Sequence, residues 1–186
     1  MSLLSGNTFG AELWSDNKQI APMFPEISFV QKCPHCGKYY ITERQEAKFS
    51  TDSYTFEKGI LTYPEMKEAF VQLSEEGFAN DKEETHVRMM LHHAYNNYYY
   101  RTDDYKEINA DDKKLFHENG TWLIDNAITD KVMKAEFYRE IGEFEAAHDI
   151  LKLKAIKMVN DEFLKRIIQQ VKERLQNNDC RVFKIY

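Results

Sequence analysis

The chain changes texture at Thr62, and the change restricts its possible architectures more than any single motif. Before Thr62 the apolar residues come in short runs, broken by three of the four prolines and by several glycines, with no helical period. After it they recur every three or four residues for most of the remaining length. A chain divided in this way is expected to be mainly α with a small β module. Residues 1–62 form the β-rich part and residues 63–178 an antiparallel helical array.

Within the first part, Leu13-Trp14 and Gln19-Ile20 flank Ser15-Asp16-Asn17-Lys18, a composition suited to a hairpin turn. Ile27 to Val30 leads into Cys33-Pro34-His35-Cys36-Gly37, and Tyr39-Tyr40-Ile41 leads out, which predicts a strand, turn, strand unit. Pro22 and Pro25 confine their own segment to an edge or a loop.

Thr62-Tyr63-Pro64-Glu65 reads as a capping box with proline in the first turn. It opens a helix whose inward residues are Met66, Ala69, Phe70 and Leu73 and which ends near Gly77. Asn80 to Glu83 offers a second cap, after which Val87, Met90, Leu91, Ala94, Tyr95 and Tyr98 form one stripe. A third helix is expected from Asp111 to about Ala127 with Leu115, Trp122 and Leu123 inward; Gly120 in its interior costs roughly 1 kcal/mol relative to alanine. Residues 130–158 predict two short helices pivoting at Gly142, the second carrying Phe144, Ala147, Leu151 and Met158. A last helix from Asn160 to about Gln176 presents Phe163, Leu164, Ile167, Ile168, Val171 and Leu175. Residues 179–186 then read as a strand that needs a sheet to join, and the N-terminal module is the available one.

Two cysteines separated by two residues can place both sulfurs on one tetrahedral ion, with Gly37 allowing the backbone to fold beneath the second. Cys33 and Cys36 are therefore candidate zinc ligands, and they make half a site. Its completion is open among Cys180, a distant histidine, residues upstream of Leu4, and the same turn of a second copy, which would make a homodimer through the knuckle. A buried free cysteine is the competing reading of Cys180. A thioredoxin-like dithiol is disfavoured because the motif lies between strands instead of opening a helix.

His86, His92 and His93 share one helix without the four-residue spacing that chelation from a helix requires, so they are read as surface or satisfied interior residues. Tyr95, Tyr98, Tyr99 and Tyr100 close that helix. Packing inside the protein and a surface that anchors a protein partner are both compatible with such a run, and the second would line a cleft.

Between residues 130 and 158, Ala135, Tyr138, Gly142, Phe144, Ala147 and Leu151 follow a small, aromatic, glycine, aromatic, small, large order. In this the chain resembles the tetratricopeptide repeat family, although Lys154 stands where that repeat has a later alanine and its closing proline is missing. With the knuckle, the combination resembles bacterial proteins that join a CPxCG zinc-ribbon-like module to tetratricopeptide-like helices. That resemblance implies zinc in the knuckle and brings no activity with it.

The net charge of -6 and the isoelectric point near 5.6 argue against a broad basic surface for nucleic-acid phosphates. No stretch approaches the roughly 20 apolar residues that cross a bilayer, and no export signal is legible, so the expected location is cytoplasmic. No phosphate loop, nucleophile elbow or HExxH run is present. The sequence thus points to a non-enzymatic interaction module with an unknown protein partner and a structural metal knuckle. A thiol redox protein or an enzyme with an unrecognised pocket is the alternative.

Overall fold

The computed structural model describes residues 10–21, 28–44, 60–102, 106–153, 156, 158 and 160–186. Readings of Pro22, Pro25, Ile27 and the first nine positions lie outside them. Two small antiparallel hairpins precede six helices among the described residues. The first hairpin pairs β1 (Glu12–Leu13) with β2 (Gln19–Ile20), and the second pairs β3 (Val30–Lys32) with β4 (Tyr39–Ile41). The helices are α1 (Tyr63–Glu76), α2 (Asp81–Tyr99), α3 (Ala110–Asn126), α4 (Lys131–Glu140), α5 (Phe144–Leu151) and α6 (Glu162–Gln176). None of them is long and apolar enough to cross a membrane.

Local chemistry accounts for the helix ends. Glu65 reaches back to the Thr62 backbone N–H at 3.0 Å, and Gly77 leaves α1 at φ 84. The side chains of Asn80, Asn109, Asp130 and Asp161 each accept a backbone N–H in the first turn of α2, α3, α4 and α6. Gly142, at φ 87, turns the chain between α4 and α5.

Two apolar cores result, and α4 divides them. The first gathers Val30 and Ile41 of the second hairpin with Met66, Leu73, Val87, Leu91, Tyr95, Phe116, Leu123 and, from α4, Phe137. The second gathers Val132 and Ala135 of α4 with Ala147, Leu151, Ile168, Val171, Leu175 and Phe183. Both alanines are fully buried, so α4 and α5 approach closely as a helical hairpin. Each core thus takes one face of α4, which leaves the polar residues of that helix, Glu136, Arg139 and Glu140, at the seam.

Three sequence expectations shift in detail. The inward face of α3 centres on Phe116, Leu123 and Ile124, while Leu115 and Trp122 are half-buried, because Asn119 and Gly120 turn toward α2 and α4. An added Cβ at Gly120 would come within 2.4 Å of the Ile141 side chain, so this glycine makes room for the end of α4. The second short helix stops at Leu151, and Met158 is exposed instead of extending its stripe.

The N-terminal strands do not form one sheet. The C-terminal segment lies along β1, with Leu13 N–H donating to Tyr186 O at 3.1 Å, Ile185 N–H to Leu13 O at 2.7 Å and Ser15 N–H to Phe183 O at 2.9 Å. The second hairpin is held elsewhere, on α1. The Gln72 side-chain amide there accepts from Tyr39 N–H at 3.0 Å and donates to Tyr39 O at 2.9 Å, acting as a third strand would. Arg44, just after β4, pairs with Glu83 in the first turn of α2.

Candidate functional site

The Cys33–Cys36 turn sits at the tip of the second hairpin. Cys33 N–H donates to Lys38 O at 2.8 Å, and Gly37, at φ 73, donates to Cys33 O at 2.9 Å, which closes the chain beneath the thiols. The backbone N–H groups of Cys36 and His35, with the Cys36 thiol beside them, hold the Cys33 thiol below its ordinary value. Such a turn converges two sulfurs and favours the thiolate, the form that ligates metal and attacks disulfides. Cys33 is half-buried, and residues 34–38 are exposed.

Cys180 is not brought to this turn. It lies in the corner between α4 and α5, its sulfur 3.9 Å from where a Gly142 Cβ would be, and burial pushes its thiol up. The reason is topological. The C-terminal segment joins the first hairpin, and the knuckle belongs to the second. Among the described residues no group of three or more His, Cys, Asp or Glu is placed to hold a metal ion.

The tyrosine run is corrected from candidate partner surface to core. Tyr95 and Tyr99 are buried, Tyr98 is half-buried, and Tyr95 stacks on Phe116 at 3.8 Å and meets Tyr63 edge-on at 5.4 Å. Tyr99 donates its hydroxyl to Asp112 at 2.6 Å. A turn of helix cannot point four aromatics one way, and here α1 and α3 cover it from two sides. A surface cleft of about 750 Å³ is lined by other residues, including Lys18, Phe29, Met90, Asn97 and two of the histidines, His86 and His93. His86 stacks on Phe29 at 4.0 Å, and His93 donates from Nε2 to the Asp16 carbonyl at 3.0 Å. His117 pairs with Glu143 at 2.8 Å on the surface.

The largest polar constellation escaped the sequence. Asp16, which reads as a hairpin-turn residue, is fully buried: Asn17 makes the turn at φ 63, and the Asp16 carboxylate enters the helices. There it accepts from Asn96 at 2.9 Å and from Arg101. Asn96 also donates to Glu140 at 3.0 Å, and Glu140 lies 2.7 Å from His92 Nε2. The His92 ring is sandwiched between Phe116 and Phe137, at 4.5 and 4.4 Å. Arg139 pairs with Glu136 and donates to the Asp179 carbonyl, tying α4 to the chain beyond α6.

Burial governs the charges here. It drives His92 down to about 3 and lifts Glu140 well above the carboxylate range, with Glu136 and Asp16 adding repulsion, so the central pair avoids a buried ion. Burial also opposes the charge on Asp16, but His93, Arg101 and Asn96 outweigh it and hold that group below its ordinary value. With His92, Asn96 and Glu140 each at most 1% exposed, the network joins elements of the fold and is closed to a substrate. Among the described residues, the knuckle and the cleft are open to solvent. Comparison with protein-family models, with curated proteins and with solved structures finds no significant match to this chain.

Proposed function

We propose that this chain is a non-enzymatic interaction module whose Cys33–Cys36 knuckle binds zinc, presented on a rigid helical platform. The observation that carries the reading is the turn itself: two convergent sulfurs, backbone N–H groups already aimed at Cys33, and an exposed rim. Zinc would hold the two thiolates and stiffen the hairpin tip; it supplies no redox chemistry of its own. The close approach of Ala135 and Ala147 in the α4–α5 hairpin supports a tetratricopeptide-like pairing, which would make the helices the platform for a protein partner. In the reducing interior of a cell, where we place the chain, both thiols stay available for metal.

The lowered Cys33 thiol beside Cys36 favours one second reading, a dithiol redox site. One experiment separates the two. Purified reduced protein is loaded with zinc and counted by elemental analysis beside Cys33→Ser, and a parallel sample is equilibrated with glutathione redox buffers. Tightly held zinc that the variant loses is the expected result. Failure to bind zinc, together with a Cys33–Cys36 disulfide that forms and opens within the cellular range of potential, would replace the metal reading by the redox one.

A further inference from the structure

The knuckle supplies two ligands where a structural zinc takes four, and among the described residues no third His, Cys, Asp or Glu joins the two thiols in one group. Beyond Cys33 and Cys36 the sequence holds one cysteine and six histidines, and none of these lies in the segments outside the described residues. Cys180 lies against Gly142. His86 is stacked on Phe29, His92 and His93 are engaged with Glu140 and Asp16, and His117 faces Glu143. His148 is on α5, and His35, inside the turn, joins no group of three with the cysteines. The acids that α1 brings toward the second hairpin are committed as well: Glu65 caps Thr62, and Glu68 accepts the Tyr39 hydroxyl at 2.7 Å.

We infer that one zinc ion is shared by two copies of this chain, each contributing Cys33 and Cys36 to a four-sulfur site. The inference rests on the zinc reading of the knuckle and adds what completes it. Two identical half-sites meet on a two-fold axis that passes through the ion, which is the simplest closed arrangement for a homodimer. The tip allows the approach, since Pro34 to Lys38 are all exposed and project at the end of a hairpin. Charge favours it too. Four thiolates around Zn²⁺ leave a net charge of about -2, and each copy brings exposed Lys38, just before β4, and Lys32 at the end of β3, which also faces Glu65 at 4.0 Å. Each thiol that binds releases its proton, so assembly weakens on acidification.

The test is a zinc titration of the full chain, reduced and stripped with a chelator, followed by sedimentation and metal counting. Binding that saturates at one ion per two chains, with the mass rising from 22.1 kDa to twice that value and falling back on chelation, is the expected result. Cys36→Ser should stay monomeric in zinc, and Cys180→Ser should dimerise like the parent chain. Cobalt in place of zinc should show the strong absorption of a tetrathiolate site. One ion per chain at unchanged mass would overturn the sharing and leave the zinc reading standing, whereas no bound zinc would overturn both. A dimer indifferent to chelator would also overturn the sharing. The chelator arm uses the unaltered chain, so it decides the matter even if a serine variant fails to fold.

Discussion

The knuckle and the polar seam between the two cores concentrate reactive side chains under opposite conditions. At the knuckle two thiols sit on an exposed rim, organised by backbone N–H groups within four residues of sequence. At the seam Asp16, His92, Asn96, Arg101 and Glu140 are almost completely buried and come from the C-terminal half of α2 and the chain just after it, from α4 and from the first hairpin. A rim of that kind can change its ligands without disturbing the fold. A buried network cannot, because every group removed leaves another desolvated and unpaired. The contrast leaves the first region open to solvent and makes the second part of the architecture, so variants in each should differ accordingly.

The sharpest break should come from Arg139→Ala. It leaves Glu136 buried without its cation and frees the Asp179 carbonyl, so urea unfolding should show a loss of about 3–5 kcal/mol. A loss near that of an ordinary surface variant would mean that the seam does not hold the cores together.

Gly120→Ala comes next. Alanine is worth roughly 1 kcal/mol over glycine inside a helix, but here its Cβ meets the Ile141 side chain at 2.4 Å. The crowding should win and destabilise by about 1–3 kcal/mol, and adding Ile141→Ala should recover part of it through coupling between the two positions. A stabilising Gly120→Ala would show that α3 and α4 separate easily.

The central pair makes stability depend on pH in two opposed ways. The unfolded chain ionises Glu140 near its ordinary 4.5 while the folded chain keeps the proton, so stability falls as pH rises above 4.5. The unfolded chain protonates His92 near 6.5 while the folded chain resists down to about 3, so stability also falls as pH drops through that window. Glu140→Gln should abolish the alkaline-side fall and keep the acid-side one, as read by melting temperature across that range. An unchanged profile would show that Glu140 is ionised in the fold.

The smallest effect belongs to the knuckle. In metal-free buffer Cys36→Ser should change the unfolding free energy by less than about 0.5 kcal/mol, because the side chain is exposed and packs on nothing in either core. A large loss without metal would make the rim part of the architecture and erase the contrast.

The caps of α1 and α2 were legible in the sequence because their partners are three residues away, as with Thr62 and Glu65 or Asn80 and Glu83. The knuckle was legible for the same reason, since its thiols and their N–H donors share one turn. Asp16 was not legible. Ser-Asp-Asn-Lys is a normal hairpin turn, and nothing local tells that Asn96, eighty positions later, waits for its carboxylate. The tyrosine run was half legible: a long aromatic stripe had to be covered, but α1 and α3 as its cover depend on helix packing that no periodicity encodes.

The sequence by itself determined where the chain turns from strand to helix, where α1 and α2 start, and the placing of Cys33 and Cys36 in one turn. Tertiary structure alone decided that α4 separates two cores, that Gly120 clears Ile141, that Cys180 stays with Gly142, and that Glu140 meets His92. The physical reason is range. Capping, turn chemistry and hydrophobic period act within a few residues, so the chain carries them openly. The buried contacts exist only after distant surfaces have excluded water, and that exclusion is itself what gives them their strength.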